Sequence, residues 1–117
     1  MQITDVRIRK LMSGGRLRAV VSITVDDMLA VHDIKVVQGD ERLFVAMPSR
    51  KDENGIFRDI VHPISPDARK DIETVILEAY ERQAALAAAE EEANAFEAAV
   101  EATYAKAVES TEEASID

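Results

Sequence analysis

Cysteine and tryptophan are both absent from this 117-residue sequence. Without cysteine, no disulfide framework and no thiolate metal site can form. No apolar run approaches the roughly 20 residues of a helical membrane span. The first residues lack the basic, apolar and small-residue order of a cleavable signal. These absences lead us to expect a cytoplasmic protein with no membrane span and no cofactor. Glycine and proline are scarce, at 4 and 3, so each one marks a break in the chain. Only two histidines occur, His32 and His62. His32-Asp33 and Asp59…His62 each place a carboxylate near an imidazole, as acid–base pairs do. No nucleophile, glycine-rich phosphate loop or metal-ligand cluster accompanies them. Adjacent strand residues point to opposite faces, so His32 and Asp33 are not expected to pair. We therefore expect no enzyme and read both histidines as structural, with His62-Pro63 a candidate cis bond.

Positive charge is short overall, at 14 Lys+Arg against 23 Asp+Glu. The shortage is local. Residues 1–82 carry 13 Lys+Arg against 14 Asp+Glu, whereas residues 83–117 carry one Lys against 9 acids. The first segment is near neutral and the acidity sits in the tail, so bulk charge does not exclude an anionic partner. We expect an α+β domain over 1–82 and an acidic, Ala/Glu-rich helical tail over 83–117.

Residues 1–64 read as five strands in a mostly antiparallel sheet. The first is expected over Ile3 to Leu11, and Ser13-Gly14-Gly15 is a turn signal. The second, Arg16 to Val25, alternates Leu17, Ala19, Val21, Ile23 and Val25 on one face. A two-residue turn at Gly14-Gly15 would set Ile8 opposite Val21 and Val6 opposite Ile23. The same register sets Arg7 opposite Ser22 and Arg9 opposite Val20, and gathers Arg7, Arg9, Arg16 and Arg18 on the other face. A slip of one residue would spoil both agreements. Asp26-Asp27 is the next turn, Met28 to Val37 the third strand and Gln38-Gly39-Asp40 a further turn. Leu43 to Met47 is the fourth strand, stopped by Pro48. Lys51 to Gly55 is a polar loop with its tight turn at Asn54-Gly55, and Ile56 to Val61 is the fifth strand.

Ser65-Pro66-Asp67 is a helix start: serine caps, proline suits the first position and an acid suits the dipole. Ile72, Val75, Ile76, Ala79 and Tyr80 then form an apolar stripe fit to cover one sheet face. From Gln83 on, alanine and glutamate dominate without glycine or proline, favouring a long helix. Its larger apolar residues are Leu86, Phe96, Val100, Tyr104 and Val108, a thin seam for a coiled coil. We expect helix to about residue 108, with fraying over Ser110 to Asp117.

Three groups of cations could meet phosphate. Arg50 and Lys51 sit just past Pro48, and Arg58 lies across the polar loop; the plain alternative is a solvated loop. Arg7, Arg9, Arg16 and Arg18 form the second group, or an exposed face neutralised by a neighbour. Arg69 and Lys70 follow the helix cap, where free N–H groups and cations could hold an anion. Ordinary surface charge offset by Asp67, Asp71 and Glu73 is the stronger reading of that third group.

Four separated blocks carry a resemblance: Thr4-Asp5-Val6-Arg7, Val31-His32-Asp33-Ile34, Leu43 to Lys51, and Phe57 to Ile64. In this order they resemble the SpoVG family of small bacterial nucleic-acid-binding regulators, over about residues 1–82. The resemblance implies a mostly antiparallel sheet with helical packing, a homodimer and site-preferring binding to DNA and RNA. It also implies a regulatory role in cell division, sporulation or related gene control. Family binding is attributed to the basic loop and the following helix start, which here are Arg50, Lys51 and Arg58, then Arg69 and Lys70. The resemblance says nothing about the tail.

Together these readings give a small α+β domain that dimerises and binds nucleic acid without catalysis. The competing class is a protein-interaction module acting through the acidic tail. A fold-back of that tail onto the basic surface is a further expectation, in which removal of residues 84–117 would tighten DNA binding at low salt.

Overall fold

The computed structural model describes the backbone of residues 1–116 and the side chains of residues 1–108. Six strands precede one helix: β1 Ile3–Leu11, β2 Leu17–Val25, β3 Leu29–Gln38, β4 Leu43–Ala46, β5 Ser49–Lys51, β6 Phe57–Asp59 and α1 Pro66–Ile116. The chain separates into two compact units, Met1–Ala84 and Ala85–Asp117.

In the first unit, β1 to β4 form an antiparallel sheet in chain order. The expected fifth strand does not join it. Its middle residues form β6, which pairs with β5 in a separate two-stranded ribbon. Pro48 ends the main ladder because it has no N–H to donate, and its carbonyl accepts from Ile60 N–H at 2.7 Å across the ribbon base. The basic pair Arg50-Lys51 is therefore strand, not loop.

Expected registers hold in the middle of the first hairpin, where Val6 pairs Ile23, Arg7 pairs Ser22 and Ile8 pairs Val21. They fail toward the turn: Lys10, not Arg9, pairs Val20, and the shift falls at Arg9. Gly14 and Gly15 do take positive φ, 80° and 84°. The connection nevertheless spans residues 12–16, with Met12 N–H closing on the Arg18 carbonyl at 2.8 Å. A longer connection needs one extra residue in β1, and Arg9 is the resulting bulge. At the β2–β3 turn, Asp26 and Asp27 both take positive φ, 51° and 54°, and Met28 N–H donates to the Val25 carbonyl at 3.0 Å. That is the turn whose twist suits a hairpin, and aspartate tolerates it better than most residues. Gly39 is required for a different reason. A Cβ there would lie 2.9 Å from the Arg42 carbonyl oxygen and 3.2 Å from the Phe44 ring.

One sheet face is apolar and packs on the start of α1. Ala19, Val21 and Ile23 of β2 join Val31, Ile34 and Val36 of β3, Val45, Met47, and helix residues Ile72 and Ile76. Val75, Ala79 and Tyr80 flank them half-buried, as the helical spacing predicts. Burying each such isoleucine or valine contributes about 1.5–3 kcal/mol relative to exposure. Ser65 caps α1 as expected: its Oγ accepts from Ala68 N–H at 3.1 Å and its carbonyl from Arg69 N–H at 3.1 Å. The candidate cis bond at His62-Pro63 is trans, as are all peptide bonds among the described residues. His62 Nδ1–H donates to the Pro63 carbonyl at 3.1 Å.

In the second unit, α1 continues to Ile116, past the expected end near residue 108. Leu86, Phe96, Val100, Tyr104 and Val108 are exposed along it. The expected fraying over Ser110 to Asp117 lies outside the residues whose side chains are described. No helix among the described residues is long and apolar enough to cross a membrane.

Candidate functional site

The sheet face opposite the helix carries an open cleft of ≈ 690 Å³. Two bulges build it. In regular strand, Arg9 and Lys10 would point to opposite faces, and so would His32 and Asp33. The bulge at Arg9 brings both Arg9 and Lys10 to the cleft. On β3 the register shifts between Val21 and Ile23, leaving His32 and Asp33 opposite the single residue Ser22. Asp33 takes φ 61°, a conformation that few side-chain-bearing residues hold, and both His32 and Asp33 line the cleft. The sequence argument that kept these two apart assumed unbroken alternation.

Ser22 forms the floor and is only 7% exposed. Arg9 Nε–H donates to Ser22 Oγ at 3.4 Å, and Ser22 lies 2.8 Å from His32 Nδ1. The serine hydroxyl can thus accept from Arg9 and share a hydrogen bond with His32 Nδ1, whose direction follows the imidazole tautomer. Lys35 adds a third cation, and Pro48, Ser49 and Ile60 close the wall from the ribbon base. Arg9, Lys10 and Lys35 have no ion-pair partner among the described residues. A concave surface with unneutralised cations, one carboxylate and apolar walls can receive an anion attached to a flat apolar group.

The ribbon carries the other basic residues. Arg50 pairs Arg58 directly across it, Lys51 pairs Phe57 and Ser49 pairs Asp59. Alternation puts Arg50 and Arg58 on one ribbon face and Lys51 and Phe57 on the other, so the expected trio is split. Lys51 and Phe57 share the face of Ser49, which reaches the cleft. Lys51 Nζ lies 5.6 Å from the centre of the exposed Phe57 ring, within reach of a cation–π attraction. Two arginines directly opposite repel, and Asp52 offsets this by accepting from Arg58 Nε–H at 2.7 Å. Asp52 also accepts from Asn54 and Ile56 N–H at 2.9 and 3.0 Å. The Arg58 bond first, then the Ile56 and Asn54 amides, hold its carboxyl below the usual aspartate range.

The four hairpin arginines do not form one cationic face. Arg7 is held by Asp5 at 3.0 Å, and Arg16 lies in the turn, held by Asp40 at 3.1 Å. Arg18 is half-buried at a second bulge, between Leu17 and Ala19. Of the four, only Arg9 lines the cleft. At the helix start, Arg69 lies 3.4 Å from Glu73, which Arg42 also approaches at 3.8 Å. Lys70 lines a different recess, with Met1, Ile3 and Asp71. Sequence reasoning overlooked Lys10, Lys35 and Ser22 because it ranked cations by clustering along the chain. The alternation of Ile34 and Val36 did mark Lys35 as facing away from the core.

No group of residues able to hold a metal ion occurs among the described residues. The sequence matches the SpoVG family model over residues 1–82. A protein of Desulforudis audaxviator named "Putative septation protein SpoVG" is 58% identical over 83 residues, covering 71% of this chain and 94% of that one. Its namesake in Lachnospira eligens is 56% identical over 82 residues, covering 70% and 93%. "Putative septation protein SpoVG 2" of Listeria monocytogenes serotype 4b is 50% identical over 101 residues, covering 84% and 99%. That last match takes in part of the segment after residue 82.

Proposed function

This chain belongs to the SpoVG family, and from that premise we propose that it is a site-preferring DNA- and RNA-binding regulator. It acts in the cytoplasm, in septation, sporulation or related gene control, and catalyses no reaction. The observation that carries this reading is the set of cations with no ion pair among the described residues: Arg9, Lys10 and Lys35 in the cleft, and Arg50 and Lys51 on the ribbon. Unneutralised cations on a concave face and an adjoining ribbon suit phosphates on a flexible strand. Arg58, Arg7, Arg16 and Arg69 contribute less, because each would first have to leave a carboxylate. Arg18 and Lys70 are not among the residues lining the cleft.

The test is a fluorescence-anisotropy titration with single-stranded RNA and duplex DNA at two salt concentrations, on wild type and Arg50→Ala/Lys51→Ala. Salt-sensitive binding weakened in the double variant supports the reading, and no binding to either ligand at low salt removes it. The chain acts as a homodimer in this reading. Support comes from a largely apolar recess lined by Leu29, Val61, Pro63 and Ile64, with Ile64 91% exposed. Sedimentation at the monomer mass would refute that part.

A second reading, binding of a protein partner by the tail, is favoured by Phe96 and Tyr104, each 71% exposed on an acidic helix. Deleting residues 84–117 separates the two: the first reading keeps nucleic-acid binding, or tightens it if the tail competes, and the second loses its partner.

A further inference from the structure

Resting on the nucleic-acid reading above, we propose that the cleft binds one unstacked base of a single strand and selects a base bearing an exocyclic amino group. Shape comes first. Base edges in a duplex lie inside grooves and are read by protruding elements, whereas this site is concave. Its ≈ 690 Å³ falls within the range of small-ligand sites, about 300–1,000 Å³. Only a base that has left its stack can enter such a space.

Chemistry then sorts the lining into the parts of a nucleotide. Arg9, Lys10 and Lys35 supply charge for the flanking phosphates. The His32 imidazole, with Val20 and Ile60, supplies flat and apolar surface for the base faces. Asp33 supplies the edge. An ionised carboxylate only accepts hydrogen bonds. Adenine, cytosine and guanine each offer it an amino group. Uracil and thymine present two carbonyls beside a single N–H, and those carbonyls repel it.

The backbone at Asp33 strengthens the assignment. Its φ of 61° suits glycine, yet an acidic side chain is held there, on the cleft side of a bulge. Aspartate tolerates this backbone better than most residues, and the bulge it forms turns the carboxylate to the cleft side. Asp33→Asn is the informative exchange. Asparagine tolerates the same backbone, but its amide donates as well as accepts, so it can also satisfy a uracil carbonyl.

The experiment titrates the full chain, by anisotropy, with labelled RNA strands of equal length. One strand is all uridine, and the others carry a single central adenosine, cytidine or guanosine. At least one amino-bearing strand should bind about tenfold more tightly than all-uridine, the discrimination expected of one good edge contact. Asp33→Asn should bring that ratio close to one without changing the salt dependence. Replacing the preferred base by its counterpart lacking the amino group should do the same, with no change to the protein. Equal binding of all strands, or a ratio that survives either replacement, overturns the base pocket while salt-sensitive binding keeps the nucleic-acid reading. Absence of binding by every strand at low salt overturns both.

Discussion

Replacing Lys10 and Lys35 together by alanine removes two cleft cations that have no ion-pair partner among the described residues. Each phosphate contact on a single strand contributes about 0.7 to the slope of log affinity against log salt. The double variant should therefore have a slope shallower by about 1.4. Between about 50 and about 200 mM salt, wild-type affinity for single-stranded RNA should fall about sevenfold further than that of the variant. The matched control is Arg7→Ala/Arg16→Ala. It removes the same charge, but from arginines already held by Asp5 and Asp40 at 3.0 and 3.1 Å. Freeing those carboxylates leaves acids behind, so any phosphate contact these arginines make contributes less to the slope. All four residues are exposed, and their loss should shift stability by no more than about 0.5 kcal/mol. The assay is anisotropy at four or more salt concentrations, with unfolding curves to exclude misfolding. A Lys10/Lys35 variant with the wild-type slope, or a control that loses as much, would refute the assignment of phosphate contacts to the cleft.

Three further expectations rest on the fold itself. Ile76 is fully buried under the sheet, so Ile76→Ala should cost about 2–5 kcal/mol in denaturant unfolding, and a loss under about 1 kcal/mol would contradict the packing described. Gly39→Ala forces a Cβ against the Arg42 carbonyl and should cost about 1–3 kcal/mol by the same assay; an unchanged midpoint would show that the turn yields freely. Asp52 has a folded pKa below its ordinary 3.8, so its ionised form stabilises the ribbon turn above that value and the contribution disappears as pH falls through the lowered one. NMR should show the Asn54 and Ile56 amides shifting only in that acidic range, and in Asp52→Asn the shift with pH should vanish.

Much of the framework was legible as pattern. Alternation in β2 marks its buried face because a half-buried strand has period two. Ser65-Pro66-Asp67 marks the helix start because its atoms supply the cap and first turn locally. The stripe Ile72, Val75, Ile76, Ala79, Tyr80 marks the face of α1 that covers the sheet. The basic residues at the ribbon were visible too, but their division between faces was not, since it depends on Ser49–Lys51 being strand. The cleft was not legible at all. It exists because bulges at Arg9 and Asp33 break the alternation, and a bulge depends on how two distant segments fit together.

Local chemistry thus determined, from sequence alone, where β1 to β4 and the helix start lie, which faces of β2 and α1 enter the core, where the helix is capped and that the excess of acid over base sits mainly in the tail. Tertiary structure alone decided that the fifth strand leaves the sheet to pair with Ser49–Lys51. It also decided which cations pair with a carboxylate among the described residues, and that Arg9, Lys10, His32 and Asp33 share one cleft. The reason is range: caps and periodicities are satisfied within a few residues, whereas pairing partners, bulges and ion pairs are settled only when segments far apart in the chain meet.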